Sequence, residues 1–220
     1  MAARKPENHR TRVGAERRQH MHAHLLERSL TVFAERGVEV SIDDIIVAAE
    51  VSRGTFYNYF QTSHDVLIAL GDALAKEVID VLYTTLQPYD AVHRVGLGVR
   101  LFLHLARKHK RFAAFLWRTS FHAATTRIFL QTHLSEDVAA GMSDGSFELP
   151  NAETGFLSVV GVTLTGIYAL SNMTVPKTLP EDLAGSALRA LGVKRKLAEK
   201  VCSCKLPAVA FPEGSLMART

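Results

Sequence analysis

The segment Ser52-Arg53-Gly54-Thr55-Phe56-Tyr57-Asn58-Tyr59-Phe60 carries the most specific chemistry in the sequence. Stepped at helical spacing, Phe56 and Phe60 share one face. Gly54, Thr55 and Asn58 fall on the opposite face, with Tyr57 and Tyr59 at its margins. The pattern fits an ordinary amphipathic surface helix, but its outer face also suits a nucleic acid. Gly54 removes a side chain where a helix meets a groove wall. Thr55 offers a methyl or a hydroxyl, and Asn58 can pair bidentately with adenine. The hydroxyls of Tyr57 and Tyr59 can donate to phosphates, which fixes docking without reading sequence. Arg53 can reach a guanine or a phosphate. Ser41 and Ser52 stand where helices begin, and free N–H groups there attract phosphate.

Other reactive side chains are less specific. His20 and His24 share a helix face at a spacing that can hold a metal, with His22 between them. No carboxylate follows as it would in a zinc-protease helix. The run is therefore read as a solvated, partly basic face beside DNA, and no metal or cofactor is expected. Cys202 and Cys204 are one residue apart, too few for a structural zinc site, and are read as reduced thiols. No nucleophile elbow, phosphate loop or dinucleotide fingerprint occurs, which argues against an enzyme. A metal-dependent helical enzyme and a helical protein-binding adaptor stay as rival readings. The net charge of +4 is compatible with a polyanionic partner without requiring one. Residues 1–18 hold Arg4, Lys5, Arg10, Arg12, Arg17 and Arg18 against Glu7 and Glu16. They read either as a solvated tail or as a phosphate-seeking arm.

The elements that must position these groups are all helical. Helices are expected over residues 15–36, with Ala23, Leu26, Leu30 and Phe33 as the apolar face, then 41–49, 52–60 and 63–86. Gly37 stops the first. Ser41 with Asp44, Thr62 with Asp65, and Thr178 with Glu181 have the spacing of capping boxes. Beyond Pro88, helices are expected near 91–108, 111–119, 124–141, 152–173, 180–191 and 194–203. Residues 154–175 carry no charge and are long enough to span a bilayer, but three glycines and several hydroxyls suit a buried helix instead. With a polar, basic first 20 residues, the chain is expected to be cytoplasmic and to avoid membranes. Among the helices of 91–141, His104, Arg107, Trp117, Arg118, Phe121, His122, Phe129 and His133 suggest an apolar pocket with polar anchors, and His104, Trp117, Phe121 and His122, with Tyr168 beyond them, are the expected lining residues. The basic anchors hint at a ligand with a carboxylate or another acceptor.

Phe33-Ala34-Glu35-Arg36-Gly37, Ser41-Ile42-Asp43-Asp44-Ile45 and Ala48-Ala49-Glu50-Val51, followed by residues 52–60, resemble the N-terminal domain of the tetracycline-repressor (TetR) family. The resemblance runs from Leu25 to Leu74. It implies an all-α chain in which a three-helix helix-turn-helix domain is linked by a long helix to a C-terminal helical ligand-binding and dimerisation domain. The expected boundaries are a basic arm over 1–18, a DNA-binding domain over 19–74, an effector and dimer domain over 75–205, and a tail over 206–220. It also implies a homodimer on a palindromic operator in double-stranded DNA, a repressor released by a small-molecule effector. Two helices would form the dimer interface, through Gly155, Gly161, Gly166, Ala184 and Leu188. Two residues depart from the family pattern. Glu50 stands where a turn glycine is usual, and Ser63, followed by His64, stands where a phosphate-binding lysine is usual. Ser63 and His64 remain expected DNA contacts.

Overall fold

A computed structural model describes residues 9–119 and 133–220, with side chains from Arg12 onward. Among the described residues the chain forms ten α-helices and no strand. The first four are α1 (His9–Arg36), α2 (Ile42–Ala49), α3 (Arg53–Tyr57) and α4 (Ser63–Leu86). They are followed by α5 (Ala91–Lys108), α6 (Lys110–Thr119) and α7 (His133–Ser143). The last three are α8 (Ala152–Asn172), α9 (Leu179–Ala190) and α10 (Arg195–Ser203), with a 3-10 turn at Met217–Arg219. α1 thus begins earlier than expected and takes up part of the segment read as an arm. α3 is shorter than expected and ends at Tyr57.

The head is a small core closed by α1 to α4. Leu25, Leu26, Leu30 and Phe33 of α1 meet Ile45 and Ala49 of α2, Phe56 of α3 and Leu67 of α4, all buried. Ala23, expected on this face, is exposed, and Leu25 fills its place. Ser29 sits inside the same face because its hydroxyl donates to the Leu25 carbonyl at 2.7 Å. Gly37 takes φ +70° and ends α1, its N–H donating to Phe33 O at 2.8 Å.

α5 runs through the centre of the body, between α8, α9 and α10. Head and body share a seam where α1 lies on α6. There the Phe33 ring meets Phe115 edge-on, with centroids 6.4 Å apart.

Thr178 and Glu181 do not form the expected capping box. The Thr178 hydroxyl donates to Asp182 Oδ2 at 2.9 Å, and Pro180 opens the first turn of α9. Glu181 turns inward instead, toward Arg100 and His104 of α5. Burial pushes its carboxyl up, but the His104 bond and the charges of His104 and Arg100 outweigh that and hold it below the usual range.

Residues 206–220 are a folded strap, not a loose tail. Met217 is completely buried. Both oxygens of Glu77 in α4 accept backbone N–H groups, from Leu216 and Met217, at 2.9 Å each. Arg219 pairs with Glu27 of α1, and its carbonyl accepts from Arg111 Nη1 at 3.3 Å. Thr220 Oγ1 lies 2.8 Å from His109 Nδ1, at the α5–α6 corner.

Candidate nucleic-acid interface and ligand cavity

The turn between α2 and α3 decides how α3 is presented. Val51 N–H donates to Ile46 O and Glu50 N–H donates to Val47 O, each at 3.2 Å. This is the Schellman pattern, which needs a left-handed residue at its centre. Glu50 supplies it at φ 55°, ψ 40°, and it is the one non-glycine residue with positive φ among the described residues. His24 Nε2 lies 2.8 Å from the Ala49 carbonyl and ties α1 to the end of α2. This contact occupies one member of the His20–His24 pair considered as a metal site.

Caps hold the three helix starts. Ser41 and Asp44 form the expected box, as do Thr62 and Asp65. The Ser41 hydroxyl, then its backbone N–H, hold Asp44 below the usual carboxylate range. The Thr62 N–H is the first cause of a like shift at Asp65. Ser52 Oγ accepts the Thr55 N–H at 3.0 Å and lies 2.8 Å from Thr55 Oγ1.

Phe56 of α3 and Phe60, just beyond its C-terminal end, are buried in the head core. Ser52, Arg53, Gly54, Tyr57 and Asn58 are exposed, and Thr55 and Tyr59 are half-buried. Arg53 pairs with Asp43 of α2. A Cβ on Gly54 would meet nothing nearer than Ser52 Oγ at 3.8 Å, so nothing within the subunit requires glycine there. Ser63 and His64 open α4 beside this surface, Ser63 half-buried and His64 exposed. α1 adds the basic face that the sequence offered around His22 and Arg18. Arg18, Gln19 and His22 share a polar depression with Asn58 and Tyr59, and the His22 ring lies 5.2 Å from that of Phe60. The basic run was legible in the sequence; its placement beside Asn58 needed the fold.

The body holds a cavity of about 140 Å³ between α4, α5, α7 and α8. Ile79, Leu82, Val95, Val99 and Phe102 form much of its wall, and Tyr83, Arg94, His133, Asp137 and Thr163 add polar groups. Arg94 Nε donates to Asp137 Oδ1 at 2.5 Å, and Arg94 Nη1 donates to Tyr89 O at 2.9 Å. Burial pushes the Asp137 carboxyl up, against the opposing pull of Arg94. His133 stacks on Tyr83 with ring centroids 3.9 Å apart.

Of the residues expected around a pocket, His133 lines this cavity, whereas His104, Trp117 and Tyr168 do not. His104 Nε2 lies 2.8 Å from Glu181 Oε1. Trp117 and Tyr168 pack on each other edge-on at 5.0 Å, with Arg118 over the Trp117 ring. Phe121 and His122 lie outside the described residues. The pair that does face the cavity, Arg94 and Asp137, comes from two helices and has no local spacing to reveal it.

The expected interface residues separate into two groups. A Cβ on Gly155 would strike Leu149 and Val138, and one on Gly166 would strike Leu183 and Leu103, each below 3.0 Å. Ala184 and Leu188 are completely buried. These four pack within the subunit. Gly161 instead faces open space, in an exposed stripe with Leu157, Thr165 and Tyr168, of which Leu157 is 58% exposed. α8 is also the one described helix long and apolar enough to cross a membrane.

Three comparisons bear on this architecture. The sequence model described as "Bacterial regulatory proteins, tetR family" matches residues 25–70. The HTH-type transcriptional repressor DhaR of Mycobacterium sp. (strain GP1) is 39% identical over 64 residues, 29% of this chain and 30% of that protein. The chain thus matches less than a third of the length of this curated relative. RolR without ligand superposes with a TM-score of 0.70 at 25% identity, over 86% of this chain and all of RolR. RolR with resorcinol gives 0.68 at 24%, over 89% of this chain and all of RolR. FadR of Bacillus subtilis, solved with stearoyl-CoA, gives 0.64 at 19%, over 76% of this chain and 96% of FadR. With the cap-turn-cap geometry between α2 and α4, residues 25–70 form a head that matches the tetR family of bacterial regulatory proteins, and the chain as a whole shares its helical architecture with RolR and FadR.

Proposed function

We propose that the protein is a ligand-responsive DNA-binding transcriptional regulator. It acts as a repressor that binds a palindromic operator as a dimer and is released when a small molecule occupies the body cavity. It is cytoplasmic and has no catalytic role. The observation that carries the reading is the outer face of α3. Arg53, Gly54 and Tyr57 of α3 and Asn58 at its C-cap stand exposed on a segment whose other side is locked by Phe56 and Phe60, and nothing in the subunit explains the glycine. A rigid helix with a small, polar, aromatic-flanked face suits the major groove. Ser41, Ser52 and Ser63, at or beside the starts of α2, α3 and α4, and His64 and Arg18 around it, suit phosphates.

The exposed stripe of α8 supports the dimer. Leu157, Gly161 and Tyr168 leave an apolar face with room at Gly161 for a facing helix to approach. A twofold pair of heads would read two half-sites, which couples dimer symmetry to operator symmetry. Effector action fits the position of the cavity, since α4 forms one of its walls and also belongs to the head. RolR with resorcinol and FadR with stearoyl-CoA indicate that this body plan takes small-molecule ligands of very different sizes.

The test is binding of the full chain to a fragment from the region upstream of its own gene, at several salt concentrations. Binding should weaken steeply with salt. Asn58→Ala should relax sequence preference by about 1–3 kcal/mol at one base pair. Tyr59→Phe should weaken binding to all sequences alike. If both variants bind as the parent does, the face is assigned wrongly.

A further inference from the structure

We infer that residues 206–220 are a latch that couples the body cavity to the DNA-reading head. In the free chain the strap holds α4 in the operator-binding position, and pressure on the cavity wall loosens it. The inference rests on the ligand-responsive reading of the cavity and names the element through which that response passes.

α4 has its first turns in the head core, through Val66 and Leu67, and its last turns in the cavity wall, through Ile79, Leu82, Tyr83 and Leu86. It is a lever between the two, and the strap grips it at two points. Near the cavity, Leu206 and Val209 pack with Leu82 on the small buried cluster of Leu86, Leu97 and Leu101. Leu82 and Leu86 thus belong both to the cavity wall and to the cluster beneath the strap. Nearer the head, the two carboxylate oxygens of Glu77 accept the Leu216 and Met217 N–H groups. Such a carboxylate is a charge-assisted, two-point grip.

The far end of the strap fastens that grip to both sides of the head–body seam. Arg219 pairs with Glu27 of α1, and its carbonyl accepts from Arg111 of α6. The Thr220 hydroxyl donates to Met217 O at 2.8 Å, so His109 Nδ1 is the donor to Thr220 Oγ1. One short segment therefore fixes α1, α4 and α6 in a single relative placement. Packed contacts of this kind are kept or lost together rather than stretched, which makes the strap a two-state element that cavity and head can both bias.

Gly98 of α5 shows where pressure enters. It lines the cavity, and a Cβ there would lie 3.6 Å from Leu86 Cδ1. A larger group at that point bears on Leu86, and through it on the cluster under Leu206 and Val209.

The experiment is amide hydrogen exchange at Leu216 and Met217 in the full chain, alone and with the upstream operator fragment, and in Gly98→Leu without DNA. The operator should slow both amides by about tenfold or more, because a latched state that favours DNA is favoured by DNA in return. Gly98→Leu should speed both by about tenfold or more, while the Ile45 and Phe56 amides of the head core keep their rates. Glu77→Gln keeps one acceptor oxygen and loses the charge. It should weaken operator binding by about tenfold with an unchanged salt slope, since fewer molecules are competent but each makes the same phosphate contacts. A strap that only adds stability would leave the affinity of the folded variant, checked by circular dichroism, at the parent's value. Strap exchange within about twofold of the free chain, with operator or in Gly98→Leu, overturns the inference, as does parental operator affinity in Glu77→Gln. Should Gly98→Leu fail to fold, the operator and Glu77→Gln measurements decide. If no fragment binds the full chain, the regulator reading fails on its own, and the Gly98→Leu rates still show whether cavity and strap are joined.

Discussion

Replacing Glu50 by glycine should stabilise the protein. Glu50 is held at φ 55°, ψ 40° by the two backbone bonds that end α2, and a left-handed L-residue costs about 1–2 kcal/mol. Glycine removes that strain but gives the unfolded chain more freedom, which returns about 0.4–1 kcal/mol. At the middle of both ranges the net gain is about 0.8 kcal/mol. For a chain of this length it would raise the melting temperature by roughly 1–4 °C. Urea unfolding at fixed protein concentration measures it as a shifted midpoint with an unchanged slope. Glu50→Ala is the control. It removes the same carboxylate and keeps the Cβ, so it should gain nothing. If alanine stabilises as much as glycine, the charge matters and the backbone argument fails. If glycine lowers the midpoint, the left-handed residue is not strained in solution.

Two further outcomes follow from the caps and the strap. Asp44 and Asp65 titrate below their ordinary range in the folded head, so their stabilisation is full above the unfolded carboxylate value of about 4. It is lost as pH falls through the lower folded values, and Asp44→Asn with Asp65→Asn should flatten the acid limb of stability against pH, read by circular dichroism. Met217→Ala should cost about 2–5 kcal/mol, and Glu77→Gln about 1.5–3 kcal/mol, by urea unfolding. Losses within 0.5 kcal/mol for both would mean that the strap is not closed in solution.

The head was legible because its signals are local. Capping boxes act over three residues and apolar stripes over one turn, so Ser41, Thr62, Phe56 and Phe60 could be placed without tertiary information. Thr178 and Glu181 show the limit of that logic. Their spacing matched a box, but Glu181 finds stronger partners in Arg100 and His104, about 80 residues earlier in the chain. Beyond His133, the cavity was illegible for a related reason. Arg94 and Asp137 meet across two helices, whereas the aromatic residues that looked like a ligand cage, Trp117 and Tyr168, satisfy each other. Small residues on α8 and α9 misled in part because close helix approach is needed inside the subunit as well. Gly155 and Gly166 serve that purpose, and only Gly161 faces outward.

Residues 216–220 lie downstream of every helix that they tie together. A ribosome adding about 5–20 residues per second exposes Glu27, Glu77 and His109 well before Met217 and Arg219 emerge. For those seconds the nascent chain can already carry a closed head, with its own caps and core, while the slot for Met217 is an open apolar surface. Capping of the head helices and completion of the head–body seam are therefore separate events in the life of each molecule. A premature stop upstream of Met217 would leave that slot open for good, on a chain whose caps at Ser41, Ser52 and Thr62 are intact.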